Sequence, residues 1–185
     1  MSPKPIFRLL AGLVILLILV YSVQVKWYQK NRKFEPGTEM VTLLRNLGDS
    51  ALASSDVPVA SLLIFNNQVV GAGYNTVRRD HNASGHAEIN AISDAMKRVG
   101  YDSFMKMNRD KLYILSTWEP CPMCKGAIAN YAIKHVIIMH PKSFKEHFRE
   151  WLKAELYEWN KQVTTEDTLQ EFLFRKHPLY RYQEG

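Results

Sequence analysis

Two short segments constrain this chain more than the rest of its sequence: His-Ala-Glu at residues 86–88 and Pro-Cys-Pro-Met-Cys at residues 120–124. The second segment holds both cysteines of the chain. A catalytic zinc ion takes three protein ligands of these types and keeps its fourth position open for water. We therefore predict a Zn²⁺ site made by one imidazole and two thiolates, those of His86, Cys121 and Cys124.

Glu88 adds a catalytic group to this set of ligands. A carboxylate beside a catalytic metal can take the proton of an activated water molecule and hand it on to the substrate. His-x-Glu followed by Pro-Cys-x-x-Cys is the signature of zinc-dependent deaminases, in which the glutamate is not a zinc ligand. We predict that Glu88 is the catalytic acid–base residue.

Each of the two segments is predicted to begin a helix, because apolar side chains recur at helical spacing over residues 85–98 and 121–132. The N-terminus of a helix carries free N–H groups and a partial positive charge. That charge lowers the pKa of a thiol and favours the thiolate that zinc requires. Two cysteines spaced by one helical turn also place both sulfur atoms on one side, where His86 can meet them.

Other sites can contain a Cys-x-x-Cys pair, namely redox centres and halves of structural zinc sites. The chain has no second cysteine pair, which excludes a structural site of four cysteines. The remaining alternative is a membrane-tethered zinc-binding module without turnover. The presence of Glu88 argues against that alternative, since a purely structural site has no use for a carboxylate that does not bind the metal.

The two segments, extended to residues 86–92 and 120–128, resemble the cytidine and deoxycytidylate deaminase superfamily. The sequences His-Ala-Glu-Ile-Asn-Ala-Ile and Pro-Cys-Pro-Met-Cys-Lys-Gly-Ala-Ile are similar to one branch of it. That branch holds guanine deaminases, fungal-type cytosine deaminases and tRNA adenosine deaminases. The resemblance covers about residues 38–140 and thins out after Pro141.

This resemblance implies a zinc-dependent hydrolase that deaminates an amino-substituted nucleobase, nucleoside or nucleotide and releases ammonia. It implies that Asn75 and the backbone N–H of Ala87 bind the substrate, whereas the residue type of Asn75 without this context would indicate a turn. The family fold is a three-layer α/β/α domain with a mixed sheet, and its members are usually homodimers.

A tRNA-specific adenosine deaminase is the alternative within the same family. Six of the 24 lysines and arginines precede residue 34, where no acidic residue occurs, so the remaining 18 balance all 18 acidic residues. A neutral domain disfavours tRNA, because phosphate binding depends on lysine and arginine. A local basic patch from Arg78, Arg79, Lys97 and Arg98 could still support it.

A difference from the sequence of tRNA adenosine deaminases also disfavours tRNA as the substrate. The tRNA adenosine deaminases carry a segment of the type Gly-Ala-Arg-Asp after the strand that corresponds to residues 135–139. This chain has His-Pro-Lys-Ser at residues 140–143 instead.

The N-terminal region is apolar over residues 6–25, with Arg8 as its one charge. As a helix it would reach ~30 Å, the thickness of the hydrocarbon core of a bilayer. We predict a membrane anchor with a basic flank at residues 1–33, a linker at 34–37 and the deaminase domain at 38–185. The distribution of positive charge weakly favours a cytoplasmic domain. The alternative is a signal peptide that is cleaved on export.

The remaining patterns predict strands alternating with helices, which is typical of an α/β/α layered domain with a mixed sheet. A helix is predicted at residues 38–54, and strands are predicted at 57–65, 68–74, 112–115 and 135–139. After Pro141, aromatic residues and leucines at helical spacing predict a helix packed into the core, and residues 164–167 predict the start of another helix. Either a pocket cover or a plain packed terminus would suit the aromatic C-terminal tail.

Overall fold

The computed structural model describes residues 4–30, 34–162 and 168–176. The chain divides into two compact units, residues 1–140 and 141–185. In the first unit the elements are α1 (Lys4–Lys30), α2 (Thr38–Ala53), β1 (Ala60–Phe65), β2 (Gln68–Tyr74), α3 (Ala87–Val99), α4 (Tyr101–Lys106), a 3₁₀ turn (Arg109–Lys111), β3 (Leu112–Ser116), α5 (Pro122–Asn130) and β4 (His135–Ile138). The second unit contains α6 (Phe144–Asn160) and α7 (Thr168–Lys176).

The four strands form one mixed sheet in the order β2-β1-β3-β4. β1 pairs antiparallel with both β2 and β3, whereas β3 and β4 are parallel. This arrangement confirms the predicted α/β class and the mixed sheet. Each predicted strand is present, although β1 begins at Ala60 and not at residue 57.

Two apolar clusters cover the two faces of the sheet. On one face, Leu63 and Ile114 pack with Ile92 of α3 and Ile128 of α5. On the other face, Leu62, Ile64 and Leu115 pack with Leu44 of α2. Successive residues of a strand point to opposite faces, so β1 and β3 are buried on both sides. The predicted three layers are therefore present, with α2 on one face and α3 and α5 on the other.

Two glycines of β2 let α3 approach the sheet closely. A Cβ atom on Gly73 would lie 2.4 Å from the carbonyl oxygen of Ala87, and one on Gly71 would lie 2.2 Å from that of Ala91. Both obstructing atoms belong to the helix backbone, so no side-chain rotation can relieve the contact. The first turns of α3, which carry Glu88, are held against the sheet by this fit.

We therefore expect Gly73→Ala to destabilise the domain strongly. Overpacking a well-packed core costs about 1–3 kcal/mol, and a clash with backbone places this variant at about 3 kcal/mol or above. Urea unfolding should show the loss as a lower midpoint. Gly126→Ala is the matched control, because a Cβ on Gly126 meets nothing within 4 Å and alanine is the better helix former. Equal midpoints for the Gly73 variant and the parent would refute the close packing.

At the N-terminus, the predicted apolar segment lies in α1, a helix of 27 residues. Its large apolar side chains between Leu10 and Val23 are 46–69% exposed. Among the described residues, however, no helix has both the length and the hydropathy needed to cross a membrane. The structure thus does not support the predicted transmembrane helix, and the anchor stays a prediction from the sequence.

α6 forms where its periodicity predicts a helix, and it begins with a capping box. Ser143 Oγ accepts from the Glu146 N–H at 3.4 Å, and Glu146 Oε2 accepts from the Ser143 N–H at 2.8 Å. The packing of its apolar residues into the core stays a prediction from the sequence. Periodicity determines which residues share a helix face, but it does not determine whether another element covers that face. The predicted helix start at 164–167 and the tyrosines of the tail lie outside the described residues.

Candidate zinc and active site

The structure brings the three predicted zinc ligands together from two helix N-termini. His86 is the residue before α3 and Cys121 is the residue before α5, both with extended backbone. Cys124 lies in the first turn of α5 and is fully buried. Cys121 Sγ lies 3.5 Å from His86 Nδ1 and 3.5 Å from Cys124 Sγ.

The geometry of these side chains fits one zinc ion. Zn–S bonds of about 2.3 Å place two sulfur ligands less than about 4.6 Å apart, and the two sulfurs observed here meet that limit. All three ligand atoms lie within 4.8 Å of one another. One nitrogen and two sulfur donors are the softer ligands that zinc accepts, and three of them leave a fourth position open.

A hydrogen bond between the two thiols controls their ionisation. It lowers the pKa of Cys121 to about 5, against the opposing effect of burial and with help from the N–H groups of Cys124 and Met123. The same hydrogen bond, together with burial and the charge of Glu88, raises the pKa of Cys124. Cys121 therefore ionises first, and a metal ion favours removal of the second proton because it binds the thiolate.

Glu88 lies beside these ligands in the first turn of α3 and is only 3% exposed. Its Oε1 accepts a hydrogen bond from Ser116 Oγ at 3.0 Å. Ser116 Oγ in turn accepts one from Ser61 Oγ at 2.9 Å. Neither serine belongs to a motif that the sequence shows, although a polar residue inside an otherwise apolar strand is a signal that indicates such a role.

Asn75 follows β2 and is 8% exposed. Its Oδ1 accepts from the Val77 N–H at 3.1 Å, so the side chain does stabilise a turn. Its Nδ2 donates to none of the residues that the structure describes, which leaves this donor for a bound molecule. The N–H of Ala87 is one of the first amides of α3, and such amides have no acceptor within their own helix.

Asn90 is a further residue of the site that no sequence pattern predicts. Its Nδ2 donates to the carbonyl oxygen of Tyr74 at 2.8 Å and to Thr76 Oγ1 at 3.1 Å. These two acceptors flank Asn75 in the chain, so Asn90 ties the loop that carries Asn75 to the helix that carries Glu88.

Comparison with known proteins agrees with this geometry. Residues 36–140, more than half of the chain, match the family model of the cytidine and deoxycytidylate deaminase zinc-binding region. The chain is 37% identical over 94 residues to tRNA-specific adenosine deaminase 2 of Xenopus tropicalis, which covers 49% of this chain and 54% of the relative. It is 32% identical over 84 residues to the tRNA-specific adenosine deaminase of Buchnera aphidicola, with 45% and 52% covered. The chain thus spans about half the length of the curated relatives it matches.

Two solved structures are similar to the chain. A structure from work on A-to-I editing by tRNA:A34 deaminases has a TM-score of 0.50 at 25% identity, over 57% of this chain and 73% of that one. Guanine deaminase from Bacillus subtilis has a TM-score of 0.54 at 22% identity, over 79% and 98%, and this second likeness concerns the fold alone.

The family model describes a zinc-binding region, and the ligands that such a region needs are gathered at one point of the fold. Zinc, the predicted cofactor, is confirmed on these two grounds. The predicted resemblance is confirmed as well, and the chain belongs to the cytidine and deoxycytidylate deaminase family.

Proposed function

We propose that this protein is a zinc-dependent hydrolytic deaminase of an amino-substituted nucleobase, nucleoside or nucleotide. The observation that carries the proposal is the buried carboxylate of Glu88 beside a ligand set of one imidazole and two thiols. A structural zinc site would be closed by a fourth protein ligand. Within the described ranges of the chain this site offers three ligands and an acid–base group, which is the composition needed for a hydrolytic reaction.

In the proposed reaction His86, Cys121 and Cys124 would hold zinc, which would supply the Lewis acidity that activates water at neutral pH. Glu88 accepts a proton as the water oxygen forms a bond to the ring carbon that carries the amino group. It then donates that proton to the ring nitrogen. Glu88 next takes the proton of the new hydroxyl group and gives it to the amino group, so that the C–N bond breaks, a C=O bond forms and the amino group leaves as ammonia.

Substrate binding is proposed to use two hydrogen-bond donors, one directly after β2 and one at the start of α3. Asn75 Nδ2 has no partner among the described residues, and the Ala87 N–H lies at the start of α3. Both can donate hydrogen bonds to acceptors on a nucleobase or a sugar. Asn90 stabilises the relative position of the two, because it links their supporting segments.

A small-molecule substrate is the first proposal and tRNA is the second. The similarity to tRNA-specific adenosine deaminases favours tRNA. The charge of the domain after residue 33 favours a small molecule, because that part of the chain is formally neutral and its predicted basic patch is partly neutralised by ion pairs. Arg79 Nε lies 2.8 Å from Asp80 Oδ1, and Arg98 Nε lies 2.8 Å from Asp94 Oδ2. Arginines paired in this way contribute less to phosphate binding.

A substrate panel tests the proposal directly. The purified full-length protein is incubated with guanine, cytosine, adenine, their nucleosides, dCMP and a tRNA with adenosine at its wobble position. Ammonia release and mass spectrometry of the bases report turnover. We expect ammonia from at least one small molecule and none from tRNA. Turnover of tRNA alone would establish the alternative, and an inactive protein with bound zinc would favour the non-catalytic module.

From the sequence alone we also propose that residues 1–33 anchor the protein in a membrane by a single pass, with the catalytic domain in the cytoplasm. Export after cleavage of a signal peptide is the competing proposal. Fractionation of the native host with N-terminal sequencing separates them, because only export predicts a soluble protein that begins near Val23. A homodimer is proposed from the family resemblance.

A further inference from the structure

We propose that Ser116, supported by Ser61, is a positioning residue that holds the carboxylate of Glu88 in its working orientation. This inference rests on the proposed deaminase function. It assigns roles to two serines for which neither the motif nor the family match provides one.

Three side chains form a directed chain of hydrogen bonds. Ser61 Oγ donates to Ser116 Oγ at 2.9 Å, and Ser116 Oγ donates to Glu88 Oε1 at 3.0 Å. Both serines are 0% exposed and Glu88 is 3% exposed. Because the Ser116 hydroxyl accepts one hydrogen bond while it donates another, each bond polarises and strengthens the next.

The register of the sheet places the serines under the first turn of α3. Ser61 is directly opposite Ser116 across the antiparallel β1–β3 pair, and directly opposite Gly73 across the β1–β2 pair. Gly73 is the point at which a Cβ would meet the carbonyl oxygen of Ala87. One row of small residues across β2, β1 and β3 therefore lies where α3 begins, and the carboxylate of Glu88 is hydrogen-bonded to Ser116 at the β3 end of that row.

A buried carboxylate needs such a partner. Within the described part of the chain, no lysine, arginine or histidine forms an ion pair with Glu88. Burying a charge is costly unless it is paired or hydrogen-bonded, and burying a hydroxyl is costly unless it finds an acceptor. Alanine would fill this space in an apolar sheet without that cost. The presence of serine at both positions is therefore explained by the hydrogen bonds that the serines form with each other and with the carboxylate.

The hydrogen bond to Oε1 limits rotation of the carboxylate group. The second oxygen then keeps a constant position, as repeated proton transfer to and from a bound molecule requires. Small misplacements of a reacting group can cost a factor of about 100 in rate. Ser116 acts in this proposal through Glu88 and touches neither the substrate nor the metal.

The test uses Ser116→Ala, Ser116→Thr and Ser61→Ala in the full-length, zinc-loaded protein, with a substrate found by the panel. We expect Ser116→Ala to lower kcat by about 10- to 100-fold with KM within about twofold and the zinc content unchanged. Ser116→Thr keeps the hydroxyl and should restore most of the activity. Ser61→Ala should cost less than Ser116→Ala, because it removes only the supporting bond.

A double-mutant cycle with Glu88→Gln decides whether Ser116 acts through the carboxylate. In the Glu88→Gln background, Ser116→Ala should lower the residual rate by less than twofold, since coupled residues are not additive. The same fold loss in both backgrounds, an unchanged kcat in Ser116→Ala or a loss of zinc would each overturn the inference. These outcomes differ from failure of the proposed function, in which the parent protein deaminates nothing in the panel.

Discussion

Replacing Glu88 with glutamine is expected to lower the deamination rate by at least ~10²–10⁴-fold, the usual effect of removing one general acid–base group. Glutamine has nearly the same shape and keeps an oxygen that can accept from Ser116 Oγ, so the packing around the site should survive. It cannot take a proton from water at neutral pH. Since Glu88 is not a member of the ligand set, zinc should remain at about one ion per chain.

Ammonia release and zinc content, measured on the same preparations of parent and variant, check this prediction. Glu39→Gln is the matched control, because Glu39 lies in the first turn of α2 and is exposed. A carboxylate in the first turn of a helix stabilises it by about 0.3–1 kcal/mol through the helix dipole. The control loses that small contribution and should keep full activity. A Glu88→Gln protein as fast as the parent would remove Glu88 from the mechanism.

Replacing Cys124 with serine is expected to abolish both zinc binding and activity. A serine hydroxyl does not ionise at neutral pH, whereas zinc binds the thiolate form of cysteine. Cys124 is fully buried in the first turn of α5, so loss of the metal should also loosen the packing of that turn. We expect the parent to carry about one zinc per chain and the variant to fall below about a tenth of that value, because only two ligands remain.

Metal analysis by mass spectrometry, together with thermal unfolding, measures both effects. Met123→Ser is the matched control, since Met123 stands between the two cysteines and is 42% exposed. It introduces the same residue one position away without removing a ligand, and it should retain the zinc. A Cys124→Ser protein that binds one zinc and stays active would show that the site is built on other residues.

The sequence alone predicts the chemistry of the site. The spacing of His86, Cys121 and Cys124 specifies a nitrogen and two sulfur ligands at the starts of two helices, and the structure places them there. The sequence can predict these ligands because the residues of each segment are close neighbours in the chain. Helix geometry, which is local, brings Cys121 and Cys124 together, and residue type then determines which metal they suit.

The tertiary structure alone decides which residues support the site from distant parts of the chain. The contact between Ser61 and Ser116 depends on the register of β1 against β3, and a shift of one residue in that register would place the two serines on opposite faces of the sheet. Tertiary structure also decides the role of Asn90. Its Nδ2 reaches the carbonyl oxygen of Tyr74 because α3 approaches β2 closely over Gly71 and Gly73.

Burial shows the same division between local pattern and tertiary structure. The periodicity of residues 144–160 correctly predicts a helix, because helical spacing is a property of the local sequence. It does not determine which element covers the apolar face of that helix. Whether an apolar face is covered depends on where other elements pack. The sequence therefore determined the ligands, the acid–base residue and the order of helices and strands, whereas only the packing of distant elements decided which residues hold Glu88 in place.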